Sequence, residues 1–344
     1  TAVEAALCYS TVKNGMQAAL MAPTEILARQ HYESLRKLFE PAGIQVALLT
    51  SAVPPAQKKL ILEGLADGSI GLVIGTHALI SKAVAFRRLA LVVTDEQHRF
   101  GVAQRAALSG KGDNPHLLVM SATPIPRTLA LMIYGDLDLS ILDELPPGRQ
   151  EIKTYFITSD KRQRAFGFLR KQIEAGRQCY IICPMIEEGQ SDMASVQQYT
   201  EKLRKKWLPG CSVAALHGKM KAQEKNEIMN LYSAGKISVL VSTTVVEVGV
   251  DVPNATVMMI ENAERYGLSQ LHQLRGRVGR GKHQSYCILI SDAQNEEATT
   301  RLKVLCSTND GFRIANADLK LRGPGDFFGN RQHGLPVLKI ADMV

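Results

Sequence analysis

Aromatic residues make up only 6% of the 344-residue chain, and there is a single tryptophan. A protein that reads bases by stacking usually carries more, so contact with a nucleic-acid backbone is favoured over base readout. The six cysteines, Cys8, Cys179, Cys183, Cys211, Cys287 and Cys306, include no C-x-x-C pair. Several lie in apolar runs, and they read as buried, reduced thiols, which a reducing cytoplasm fits. No run approaches the roughly 18 apolar residues of a membrane span, and no signal peptide is visible, so no membrane partner is expected. What is present is an ordinary globular balance, 45% hydrophobic and 22% charged, with a net charge of +8. The length suffices for two cored domains, and the basic excess favours an anionic partner such as DNA.

Along the chain, short apolar runs alternate with helical patterns. QAALMAP (17–23), IQVALLT (44–50), GLVIGTHALI (71–80), LALVVTDEQ (89–97) and HLLVMSATP (116–124) predict strands, each ending in a small, polar or charged cluster. Between them, residues 24–39 predict a helix capped by Thr24, with Leu27, Leu35 and Leu38 on its buried side. Residues 54–68 predict one started by prolines and stopped by glycine. LDELPPGRQ (142–150) reads as a linker, after which the pattern restarts, with strands in 178–188, 212–220, 237–253, 255–263 and 285–291 and helices at 161–176, 195–207, 222–235 and 268–280. The alternation predicts an α/β protein of two tandem RecA-like parallel-sheet domains, 1–147 and 148–291, followed by a C-terminal hairpin and loop region, 292–344, that opens with a helix at about 295–307.

The chemistry concentrates at strand ends, where open parallel sheets bind ligands. Asp95 and Glu96 directly follow the strand LVV. Two adjacent carboxylates there suit a metal nucleotide, Asp95 holding Mg²⁺ and Glu96 orienting and deprotonating the attacking water. Thr24, and Thr76 with His77, sit at strand-to-helix junctions that could hold a DNA phosphate, and Gly75 would let a backbone approach. Ser121 and Thr123, short hydroxyls in a proline-stiffened loop, look like a relay between nucleotide and linker. Gly249 and Asp251 follow a strand of the second domain, where Asp251 suits a ribose hydroxyl. Gln273, Gly276, Arg277, Gly279 and Arg280 form a Q-x-x-G-R-x-G-R pattern. Read on a helix, its two guanidiniums share one face and suit a γ-phosphate, the arginine-finger role.

DEQHRFG, SATPIPRT, TTVVEVGVDVP and QLHQLRGRVGR, in that order, resemble motifs II, III, V and VI of superfamily 2 helicases, and RecG-type helicases most closely. APTEILARQHY and GTHALI resemble motifs Ia and Ib of that family. Residues 309–334 resemble its translocation hairpin and loop, in which Arg322, Arg331 and Gln332 would couple the ATP cycle to movement on duplex DNA. The resemblance implies a monomeric, ATP- and Mg²⁺-dependent helicase acting on branched DNA, forks and Holliday junctions, in recombination and repair, with ATP bound between its two domains. Transcription-repair coupling factors share several of these motifs, but they usually read DEEHRFG where this chain has DEQHRFG, and DELPPGR and STNDGF are as in RecG.

The resemblance departs at the start. Thr1 looks like the last residue of a Walker A loop, and G-x-x-x-x-G-K-S/T occurs nowhere in the 344 residues. That predicts a C-terminal piece of a longer helicase, one that hydrolyses ATP poorly by itself. A non-catalytic DNA-binding module is the alternative for these residues alone.

Overall fold

The structure, a computed structural model, describes residues 2–96, 102–121, 137–142, 144, 148–183, 192–243 and 252–322. The described residues fall into two compact units, each built on one parallel sheet.

The first sheet holds β1 (Gln17–Met21), β2 (Val46–Leu49), β3 (Leu72–Gly75), β4 (Leu89–Thr94) and β5 (His116–Val119) in the order β2-β3-β1-β4-β5. β1 is central, Leu20 lying between Ile74 of β3 and Val93 of β4 in register. Successive side chains of β1 point to opposite faces. Ala18 and Leu20 pack with Ala5, Cys8, Ala28, Leu35 and Phe39, whereas Ala19 and Met21 pack with Ile61, Leu65, Leu79 and Leu108. Thus α1 (Ala2–Lys13) and α2 (Glu25–Phe39) cover one face, and α3 (Pro55–Asp67) and α4 (Val102–Ser109) the other. Burial on both faces explains why these strands read as unbroken apolar runs.

Thr24 caps α2 as expected, its hydroxyl accepting the Leu27 N–H at 3.3 Å, and α3 begins at Pro55 and stops at Gly68, whose φ of 85° is left-handed. One detail of α2 differs. Its buried stripe is Ala28, His31, Leu35 and Phe39, and Leu38 is 60% exposed. The stripe continues from Leu35 by four residues to Phe39, which places Leu38 a quarter-turn away, and it takes in a histidine that the sequence reading passed over.

The second sheet holds β6 (Lys153–Ile157), β7 (Gln178–Ile182), β8 (Val213–Leu216), β9 (Val239–Ser242), β10 (Ala255–Ile260) and β11 (Tyr286–Ile290) in the order β6-β11-β10-β7-β9-β8. Its helices are α5 (Arg162–Glu174), α6 (Asp192–Lys202), α7 (Ala222–Ser233) and α8 (Leu268–Arg275); α9 (Glu296–Ser307) and α10 (Gly311–Arg322) follow β11 and pack on each other. The expected class, two α/β parallel-sheet domains with helices at the C-terminus, is the observed one. β6 was not anticipated. It is an edge strand with Tyr155 half exposed, so neither a continuous apolar run nor clean alternation marks it.

Both sheets start with the same device. Buried Gln17, opening β1, donates to the carbonyls of Leu65 and Ile70, both at 2.9 Å. Buried Gln178, opening β7, donates likewise to Tyr232 and Ile237. Each glutamine fastens a helix end and the loop after it to the foot of a central strand. Gln178→Leu removes both of these bonds, leaving the Tyr232 carbonyl with the Gly235 N–H, and is expected to lower unfolding free energy by about 2 kcal/mol, read as a drop in urea midpoint at unchanged slope.

Candidate functional site

Along the carboxyl edge of the first sheet the chain sets Thr24 after β1, Thr76 after β3, Asp95 and Glu96 after β4, and Ser121 after β5. Asp95 prolongs β4 by one pairing, its N–H donating to the Met21 carbonyl at 3.0 Å, and Met120 does the same to Thr94 at 2.9 Å, which brings Ser121 beside the acidic pair's strand. Glu96 turns the chain with φ of 51°, a left-handed conformation that costs a non-glycine residue about 1 kcal/mol. Asp95 Oδ1 accepts the Glu96 N–H at 2.9 Å and holds that turn.

The other Asp95 oxygen meets a partner the sequence reading missed. His31 Nε2 lies 2.9 Å from Asp95 Oδ2, and His31 Nδ1 lies 2.9 Å from Glu4 Oε1. Glu4, on α1, is fully buried, His31 is 8% exposed and the Asp95 side chain 19%. Burial favours a neutral ring, but the hydrogen bonds to Asp95 and Glu4, together with their charges, outweigh it and raise the His31 pKa to about 9. With a carboxylate at each nitrogen, both nitrogens donate, so the imidazolium is the form that fits. The available signal was position: His31 falls on the apolar stripe of α2, and Glu4 falls one turn before Cys8 on the buried side of α1. Burial, and then the charge of Glu4, push the neighbouring Cys8 thiol up to about 12, so it is inert as a nucleophile. None of the six cysteines is in a disulfide; Cys211 and Cys306 are only partly buried, and the other four are buried.

The remaining expected residues of this unit differ in access. His77 is exposed, while Thr76 is 4% exposed and its Oγ1 has no hydrogen-bond partner among the described residues. Gly75 has an internal cause, since a Cβ there would lie 2.2 Å from the Leu49 carbonyl oxygen of β2. Its glycine is required by strand packing whatever approaches from outside. Thr1, Thr123, Gly249, Asp251, Arg331 and Gln332 lie outside the described residues, as does the Arg322 side chain at the end of α10.

In the second unit the Q-x-x-G-R-x-G-R pattern is not one helix. α8 ends at Arg275, Gly276 is its C-cap, and Gly279 is left-handed at φ of 78°. Only Gln273 is on the helix. Arg277 and Arg280 follow it, Arg277 half-buried and Arg280 exposed, with Arg280 Nε donating back to the Gly276 carbonyl at 3.3 Å. The glycines terminate the helix, so the two guanidiniums do not share a helix face. Arg275 is different again. It is 2% exposed and donates to Thr154 Oγ1 (3.3 Å) and to the carbonyls of Leu305 (2.6 Å) and Thr308 (2.9 Å), closing the end of α9. Ser269 of α8 donates to buried Asp318 of α10 at 2.7 Å. Both C-terminal helices are thereby fastened to α8.

Burial first, then the Arg275 charge 3.1 Å away, lower the His272 pKa to about 4. The folded form holds the neutral ring. The stability it contributes is full above the unfolded pKa near 6.5 and is lost as pH falls through about 4, because the unfolded chain takes up the proton first. Denaturant melts of this chain are expected to lose about 2–3 kcal/mol more across that window than melts of His272→Gln.

Three family models match the chain: DEAD/DEAH box helicase at residues 1–132, helicase conserved C-terminal domain at 160–282, and ATP-dependent DNA helicase RecG, domain 3, C-terminal, at 308–344. The ATP-dependent DNA helicase RecG of Bacillus subtilis is 52% identical over 351 aligned residues, covering 100% of this chain and 51% of that protein. The chain therefore spans about half the length of such relatives. A solved structure of RecG bound to a three-way DNA junction superposes with a TM-score of 0.80 at 45% identity, covering 95% of this chain and 43% of that one. Saccharomyces cerevisiae Dbp5 shares the fold alone, with a TM-score of 0.60 at 17% identity over 90% of this chain and 75% of that one. The motifs, the two parallel sheets and the identity across the whole chain agree: over its length the chain is similar to the RecG-type helicases of superfamily 2.

Proposed function

We propose that these residues form the motor core of an ATP-driven translocase acting on duplex DNA at branch points such as replication forks and Holliday junctions. The observation that carries the reading is the Asp95–Glu96 pair at the carboxyl edge of the first sheet, one acid fixed through both oxygens and the other held in a left-handed turn. The likeness to RecG relatives supports it, one of them solved on a three-way junction. The net charge of +8 agrees with a polyanionic partner.

Asp95 suits Mg²⁺ as a hard oxygen donor, since a carboxylate keeps acceptor capacity beyond its two hydrogen bonds. The ion, when bound, neutralises charge on the β- and γ-phosphates. Glu96 would orient the attacking water and take its proton. Gly249 and Asp251 would receive the sugar end of the nucleotide, with Gln273 alongside. Arg277 and Arg280 would stabilise charge on the transferring phosphoryl group. On the DNA side, His77 and the start of α2 behind Thr24 would hold backbone phosphates, and buried Thr76 would shape its loop. Ser121 and Thr123 would relay the nucleotide state, and Arg322, Arg331 and Gln332 would couple it to movement. No G-x-x-x-x-G-K-S/T pattern occurs in the 344 residues, so this catalysis is that of a protein pairing them with such a loop. Taken alone they are expected to bind DNA without turnover.

Binding of a labelled forked duplex, followed by anisotropy, tests the reading. Affinity is expected to fall linearly in log–log form as salt rises. In a protein that pairs these residues with a Walker A loop, it should also change by about 5-fold or more between the nucleotide-free and Mg-ATP-analogue states. Affinity indifferent to nucleotide would refute the motor.

A further inference from the structure

We propose that His31 is a positioning residue for the Asp95 carboxylate, anchored from behind by Glu4, so that a Glu4–His31–Asp95 chain fixes the acid that holds Mg²⁺. The inference rests on the reading of Asp95 as the metal-holding acid. Three elements converge on it: α1 supplies Glu4, α2 supplies His31, and the end of β4 supplies Asp95. Both ring contacts are 2.9 Å, and the ring and Glu4 are almost wholly excluded from water. A carboxylate at a strand end has two free torsions. Asp95 loses both, since Oδ1 is taken by the Glu96 N–H and Oδ2 by His31. The carboxylate plane is thereby set before any ion arrives, and the remaining acceptor positions point where those two bonds leave them.

Glu4 does the same for the ring. A lone histidine beside Asp95 could swing about its χ angles, whereas one bonded at both nitrogens cannot. Glu4 Oε2 has no hydrogen-bond partner among the described residues, so the carboxylate's interaction is concentrated on the ring. A buried anion of this kind is costly unless paired, which argues that its position is set by His31 rather than by surface solubility. Residues behind a metal ligand that fix its orientation typically govern affinity for the ion by about 10–100-fold.

The test compares wild type, His31→Phe, Glu4→Gln and Asp95→Asn in a protein pairing these residues with a Walker A loop. Mn²⁺ in complex with a non-hydrolysable ATP analogue is the probe, its binding followed by electron paramagnetic resonance. Thermal melts of each variant establish folding, and Glu4→Gln, which preserves shape and one acceptor, serves if His31→Phe does not fold. Expected are a 10–100-fold weaker Mn²⁺ dissociation constant for His31→Phe, a smaller loss in the same direction for Glu4→Gln, and metal-free nucleotide affinity unchanged in both. A lowered melting temperature with Mn²⁺ affinity at the wild-type level in the folded variants would overturn the proposal and leave a purely structural bridge. If Asp95→Asn itself left Mn²⁺ affinity unchanged, the reading of Asp95 as the metal-holding acid would fall, and this proposal with it. Loss in Asp95→Asn alone would sink only the role given to His31.

Discussion

Arg277→Ala is expected to lower ATP turnover by about 10³–10⁵-fold in a protein that joins these residues to a Walker A loop, with fold and DNA affinity nearly intact. The physical ground is the geometry after α8. The helix stops at Arg275, Gly276 caps it, and Gly279 turns left-handed, so Arg277 leaves the helix on a short stiff segment, half-buried rather than solvated. A guanidinium presented by a short, restrained turn loses little entropy when it meets a developing phosphoryl charge. Steady-state turnover beside DNA anisotropy distinguishes the roles. If DNA binding fell as far as hydrolysis, Arg277 would be a DNA contact and not a stabiliser of the transition state.

Arg275→Ala, two residues earlier, should behave in the opposite manner. Its guanidinium is 2% exposed and closes on Thr154, Leu305 and Thr308, so removal strips the end of α9 of its donors. The expected loss is about 3–5 kcal/mol of unfolding free energy, with C-terminal helices released first. Arg275→Lys should restore little, because Nη1 meets all three acceptors and a lysine Nζ ends one bond short of it. Calorimetry or urea melts on this chain read the effect without any nucleotide. On the proposed reading, two arginines of one motif would separate in these assays, Arg275 as scaffold and Arg277 as chemistry.

The contrast shows where sequence reading succeeds and where it stops. Strands buried on both faces, such as Ala255–Ile260, announce themselves as apolar runs, and the proline start and glycine stop of α3 mark its ends directly. Edge strand β6 carried no such mark, being half wet on one side. The Arg-Gly-Arg run looked like one amphipathic helix because spacing alone does not say whether a glycine sits inside a helix or ends it; backbone conformation decides that. Asp95 and Glu96 were legible as a pair at a strand end. Glu4 and His31 were not, since they stand 27 positions apart in the chain and only the packing of α1 and α2 on one sheet face brings them together.

Steady-state Mg-ATP hydrolysis tests the central claim most directly. It would be measured with and without forked duplex DNA, in a protein pairing these residues with a Walker A loop, beside Glu96→Gln. The account predicts DNA-stimulated turnover that Glu96→Gln lowers by about 10²–10⁴-fold while forked DNA still binds. Turnover that survives in Glu96→Gln, or that ignores the fork, would contradict it.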